Sequence, residues 1–181
     1  MTNRSSAARY AKALLDVGRK EGDPQAVERD LAAFVSLADG HPQLARALVN
    51  PAIPVQRKTA LVGELLARVP VSPILGKLLL LLAGRDRLVL LPDLLEDYRR
   101  RLMDFQNIVR ADVTSAVPLP PGAAQAIERA IAARTGRAVA MTTRVDPDVL
   151  GGVVTRIGSV VYDGSVKRQL EKLKDTLTSA T

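Results

Sequence analysis

Cysteine is absent from the 181 residues, so disulfides, thiolate metal ligands and cysteine nucleophiles are excluded, and folding is indifferent to the redox state of the surroundings. Histidine occurs once, as His41 between Gly40 and Pro42, which leaves too few ligands for any of the common zinc sites. Tryptophan is absent and aromatics make up only 3% of the chain, so the core is expected to consist of Leu, Val, Ile and Ala. Long hydrophobic runs are missing as well. The longest, Leu78 to Ala83, is bracketed by Lys77 and Arg85 and falls far short of the roughly 20 residues a membrane span requires. The first residues, MTNRSSAARYAKALL, hold no continuous apolar stretch before a small-residue cleavage site, so no secretory signal is expected. Any membrane association is expected to be peripheral, with no direct span.

The residues that are present are mainly aliphatic and basic. Apolar residues make up 47% of the chain, and 26 Lys and Arg against 19 Asp and Glu give a net charge of +7. Such a charge attracts phosphate, acidic protein or anionic lipid. It is spread rather than concentrated, at net +4 over residues 1–105 and +3 over 106–181. The clusters Arg99 to Arg101 and Lys167 to Lys174 could follow a phosphate backbone, but stacking aromatics are nearly absent. A basic helical nucleic-acid-binding module is therefore the alternative reading, to be weighed against a structural one.

The apolar residues Ala7, Tyr10, Ala11, Leu14, Leu15 and Gly18 recur at helical spacing and predict an amphipathic first helix over Ser5 to Lys20. Asp23 followed by Pro24 matches an N-cap and a first-turn proline, opening a second helix with the stripe Val27, Leu31, Phe34, Val35 and Ala38 that Gly40 ends. Pro42, Pro51, Pro54, Pro70 and Pro73 divide the next stretch of chain into short helices. Ile74 to Ala83 is apolar almost all round, which predicts a helix buried in the middle of a bundle. Leu91, Leu94, Leu95, Tyr98, Leu102 and Phe105 form a last helical stripe, beside a triplet Arg99-Arg100-Arg101 expected to be solvated. About six helices fill this half.

From Val109 the period changes to two. Val109, Ala111, Val113 and Val117 alternate with polar residues, as in a half-buried strand, and a second domain is placed near Gln106. An Ala-rich helix to about Arg134 with Gly136 as its stop is followed by a strand with Val139, Met141, Thr143 and Val145 on one face. The runs VVTRI and VVY flank Gly158-Ser159 in a hairpin for which Gly then Ser suggests a type II′ turn. After Asp163-Gly164, a final helix from near Ser165 carries Val166, Leu170, Leu173 and Leu177 on one face. The fold class is α+β overall: an N-terminal all-α six-helix bundle over residues 1–105, then a small C-terminal α/β domain over 106–181.

Candidate chemistry is sparse. Asp146 and Asp148 bracket a proline in a turn, and Glu96 and Asp97 are expected on a solvated helix surface, so capping and surface charge explain these carboxylate pairs better than acid–base catalysis. Glycines 151, 152, 158 and 164 match neither phosphate-loop spacing. Gly151-Gly152 is better explained by positive φ or a close backbone approach at the hairpin entrance. No catalytic residue, metal site or cofactor is expected. The Ala- and Gly-rich stripe of the first helix fits either a shallow groove for a partner helix or close packing within the bundle.

Three stretches together resemble the delta-subunit family of F-type ATP synthases, whose mitochondrial counterpart is the oligomycin-sensitivity-conferring protein. They are RYAKALLDV from Arg9, LLLLLAGRDRLVLLPDLLEDY from Leu78, and DPDVLGGVVTRIGSVVYDGSVKR from Asp146 to Arg168. The last is the most specific. Thr155 departs from the family, where an apolar residue usually precedes the basic position held here by Arg156. The resemblance implies a non-catalytic stator subunit, peripheral on the cytoplasmic face of a bacterial cell membrane. It implies that the helical domain holds the N-terminal helix of an alpha subunit in a groove between the first and fifth helices, carried here by Tyr10, Ala11, Leu14, Leu78 and Leu82. The C-terminal domain would hold b-type peripheral stalk subunits.

Overall fold

The computed structural model describes residues 3–149, 151–158 and 160–170. The chain divides into two compact units, one ending at Leu102 and the next beginning at Met103. The first is helical: α1 (Asn3–Glu21), α2 (Pro24–Gly40), α3 (Pro42–Val49), α4 (Val55–Arg68), α5 (Pro73–Gly84), a 3-10 turn at Leu88–Leu90, and α6 (Leu91–Phe105). Local chemistry sets the boundaries. The Asp23 carboxylate accepts the Gln25 N–H at 2.9 Å, capping α2, while Pro24, Pro42 and Pro73 each occupy the first turn of a helix.

The stripes read from α1, α2 and α6 meet in one aliphatic core. Ala7, Ala11 and Leu14 of α1 pack with Val27, Leu31 and Phe34 of α2 and Leu94, Tyr98 and Leu102 of α6. Gly18 of α1 lies against Tyr98 and Val27, where a Cβ would come within 3.6 Å of the Tyr98 hydroxyl.

Tyr98 is fully buried and donates to the Pro24 carbonyl at 3.0 Å. Burial, with help from the Asp23 and Glu28 carboxylates, pushes its phenol up to about 12. A group whose ionisation is raised in the fold contributes stability that is complete below its unfolded value of about 10 and is lost as pH climbs through the folded value. The melting temperature is therefore expected to fall more steeply between about pH 10 and 12 in the wild type than in Tyr98→Phe. Thermal melts across that range check it, and parallel pH profiles for the two proteins would refute it.

Three expectations for this unit need correction. α5 is not buried all round: Leu75, Leu79, Leu82 and Ala83 are buried, but Leu80 and Leu81 are exposed. Of the arginine triplet, Arg99 and Arg100 are exposed as expected, though paired to Glu28 of α2 and to Asp97, and only Arg101 is half-buried. Asp97 is buried rather than solvated, because it lies on the inward side of α6 where Arg100, one turn on, reaches its carboxylate.

The second unit holds β1 (Ile108–Ser115), α7 (Pro121–Thr135), β2 (Ala138–Val145), a 3-10 turn at Pro147–Val149, β3 (Val153–Ile157) and β4 (Val160–Asp163). The sheet order is β2-β1-β3-β4. β1 runs parallel to β2, joined through α7, and antiparallel to β3, as a β-α-β crossover followed by a returning hairpin requires. Gly136 ends α7 at φ +67, the left-handed cap its position predicts. Ala111, Val113 and Ser115 of β1 are buried on the face that also holds Ile131 of α7 in the core. Val117 does not continue this stripe: it lies past the strand and is exposed, and Ser115 takes the next inward position, donating to the Val117 carbonyl at 2.7 Å. In β2, Val139 and Met141 are half-buried but Thr143 and Val145 are exposed.

Ile157 pairs with Val160, so the hairpin has the expected two-residue loop. Gly158 there has φ +59, but the type II′ assignment also rests on Ser159, outside the described residues. The last helix opens at residues 166–170, with the Arg168 N–H donating to Ser165 Oγ at 3.2 Å. Val166 and Leu170 are exposed, and Leu173 and Leu177 lie outside the described residues.

Candidate partner-binding site

Helices α1 and α5 pack side by side and antiparallel. A Cβ on Gly22, just past α1, would meet the Ile74 side chain at 3.3 Å near the start of α5. At the other end, the Arg87 guanidinium beyond α5 donates to the Tyr10 hydroxyl at 3.0 Å. Tyr10, Leu14 and Val17 share one side of α1 at i, i+4 and i+7. Ile74, Leu78 and Leu81 repeat that spacing on α5.

The five residues implied by resemblance divide into two groups. Ala11, Leu14 and Leu82 are buried and belong to the core. Tyr10 and Leu78 are half-buried, packed against that core from its edge. The small residues of α1 are thus used for packing within the helical unit, which favours that alternative over an open groove lined by alanine. The accessible apolar surface along this seam comes from residues the sequence reading passed over: Val17 is 38% exposed and Leu81 43%. Their spacing from Tyr10 and Leu78 was a usable signal, because i+7 and i+3 continue the same sides of the two helices.

The loop after α5 is held from beneath. Lys58 of α4 is completely buried, and its ammonium pairs with the Asp86 carboxylate. Asp86 adopts φ +53, a left-handed conformation that Asp tolerates better than most residues. This pair fixes the turn from which Arg87 reaches Tyr10, and no pattern in the sequence announced it.

His41 serves as the junction between α2 and α3, without a side-chain capping bond. The Asp146 carboxylate accepts the Asp148 N–H at 3.0 Å, so that pair closes a turn. Gly151 and Gly152 take φ +144 and +79 and bring β3 against the Asp163-Gly164-Ser165 loop. No group of His, Cys, Asp and Glu suited to a metal occurs among the described residues.

Solved structures similar to this chain include chains of ATP synthases. A chain of the Toxoplasma gondii mitochondrial ATP synthase hexamer superposes with a TM-score of 0.68 at 23% identity, covering 95% of this chain and 97% of that one. A chain in a Polytomella F-ATP synthase structure refined on the F1 head and rotor gives a TM-score of 0.51 at 27% identity, over 54% of this chain and 85% of that one. The fold is therefore that of an ATP synthase subunit. The sequence model of the family described as ATP synthase delta (OSCP) subunit matches residues 7–177. ATP synthase subunits delta from Geobacter sp. and Myxococcus xanthus are 35% and 38% identical, with 98% of each chain covered in both comparisons. This chain belongs to the ATP synthase delta (OSCP) family and is a non-catalytic stator component of the F-type complex. It is a peripheral part of that complex, and no helix among the described residues is long and apolar enough to cross a membrane. The nucleic-acid alternative has no support in these relatives.

Proposed function

We propose that residues 1–105 act as one six-helix bundle gripping the N-terminal helix of an alpha subunit on the catalytic head, while residues 106–181 hold b-type peripheral stalk subunits. Joined in one chain, the two grips stop the head from turning with the rotor, so that proton-driven torque is spent on ATP synthesis. The cytoplasmic face of a bacterial cell membrane is the site that fits relatives from bacteria such as Geobacter and Myxococcus.

The observation that carries the head contact is the exposed apolar seam between α1 and α5. Tyr10, Val17, Leu78 and Leu81 offer a strip that an amphipathic helix can cover, with Ala11, Leu14 and Leu82 as its rigid floor. The likeness to a Polytomella chain seen with the F1 head and rotor supports the same assignment. The test is calorimetric titration of the full chain with a synthetic N-terminal alpha-subunit helix from a close relative. Leu81→Asp should weaken binding by about tenfold or more, the loss expected when one buried leucine contact is replaced by a charge. Its melting temperature should be unchanged because Leu81 already faces solvent. Equal affinity in wild type and variant would move the head contact elsewhere.

A further inference from the structure

Among the described residues, the sheet of the second unit has one face covered by α7 and one that no helix covers. Opposite the buried Ala111 and Val113, β1 presents Arg110, Asp112 and Thr114. Strand register sets Arg156 of β3 beside Asp112, and Arg144 of β2 beside Thr114. Three arginines from three strands thereby surround a shallow depression of about 390 Å³. Asp112 is the acid lining it, and Arg110 Nε already holds that carboxylate at 3.2 Å. Asp163, in register on the same side, turns its carboxylate to accept the Ser165 N–H. Arg144 and Arg156 have no carboxylate partner among the described residues.

We infer that this arginine-lined sheet face is the docking surface for the peripheral stalk and takes a segment bearing carboxylates beside an apolar side chain. The inference rests on the reading that the second unit binds the stalk, and it adds the face and the chemistry. Arg144 and Arg156 carry no carboxylate of their own among the described residues, so their guanidiniums favour carboxylates from another chain, and each can bind one bidentately. Val154 and Val161 line the same depression, Val161 being 49% exposed, which adds an apolar contact that a phosphate backbone would not use. An aromatic for stacking nucleobases is missing from this side: Tyr162 lies on the opposite face, where Arg134 sits 5.5 Å from its ring.

The test uses the full chain and an Arg144→Glu/Arg156→Glu variant, each titrated with the soluble part of a b-type stalk subunit from a close relative, with the alpha-subunit helix, and with duplex DNA. Wild-type affinity for the stalk subunit should fall as salt rises from about 0.05 to 0.5 M, and the variant should bind it at least about tenfold more weakly. Its affinity for the alpha-subunit helix and its melting temperature should stay unchanged. A variant that binds the stalk subunit as well as wild type overturns the inference while leaving the stalk reading intact. If the wild type itself fails to bind the stalk subunit, that reading falls and the inference with it. Tight, salt-sensitive DNA binding that the variant loses would assign the face to nucleic acid instead.

Discussion

Gly152→Ala is expected to destabilise the second unit by about 3 kcal/mol or more, combining left-handed backbone strain with steric overlap. Gly152 has φ +79, and a Cβ there would stand 2.4 Å from the Gly164 carbonyl oxygen and 3.1 Å from the Ser165 Cα. Both neighbours are backbone atoms and cannot rotate away. The loop that carries them is tied to β3 by Gly164 N–H donating to the Val153 carbonyl at 2.9 Å and Val166 N–H donating to the Gly151 carbonyl at 3.0 Å. Relief of the overlap would therefore cost these bonds, and with them the start of the last helix. Gly158→Ala makes the control, since Gly158 has φ +59 with nothing within 4 Å of a Cβ. It should cost only about 1 kcal/mol, the conformational part alone. Denaturant titrations of the two variants separate the contributions. Equal midpoints would mean that the loop yields freely and that the Gly-Gly pair is not a steric latch.

This latch explains why the stretch from Asp146 to Arg168 is so specific yet offers no chemistry. Gly151, Gly152 and the Asp163-Gly164-Ser165 run are spent on joining a strand to a loop at backbone contact distance. That much was legible, because a Gly pair before a strand has few other uses. So were the Asp23-Pro24 helix start and the Gly136 stop, whose geometry depends on neighbours in sequence. The change of period at Val109 marked β1 for the same reason.

Properties decided by distant neighbours were not legible. Apolar residues all round α5 suggested a buried helix, but periodicity cannot tell a face covered within the chain from one left exposed, and Leu81 is of the second kind. Nor could periodicity show that Ala11, Leu14 and Leu82 are buried in the core while Tyr10 and Leu78 stay half-exposed at its edge. Asp97 read as a surface charge because nothing in the sequence shows that it lies on the inward side of α6, with Arg100 reaching its carboxylate.

Lys58 is the extreme case, a lysine in the basic, helical stretch QRKTALVGE that ends up with no exposure at all. Removing its partner should be severe. Asp86→Ala leaves an ammonium buried without a counter-ion and places alanine at φ +53, for an expected loss of about 3–5 kcal/mol. Lys58→Met should be far milder, about 1 kcal/mol or less, because the side-chain volume is kept and the Asp86 carboxylate, 40% exposed, can turn to water. The double variant Lys58→Met/Asp86→Ala should then be more stable than Asp86→Ala alone, a reversal that only a direct charge coupling produces. Urea midpoints of the three proteins decide it. If Lys58→Met is as damaging as Asp86→Ala, the site depends on the packing of the lysine stem and not on the ion pair. If the coupling holds, Asp86→Ala should also weaken binding of the alpha-subunit helix under conditions where the protein is still folded. The turn it disrupts is the one from which Arg87 steadies Tyr10 at the end of the α1–α5 seam, and a partner helix would then have to order that rim as it binds.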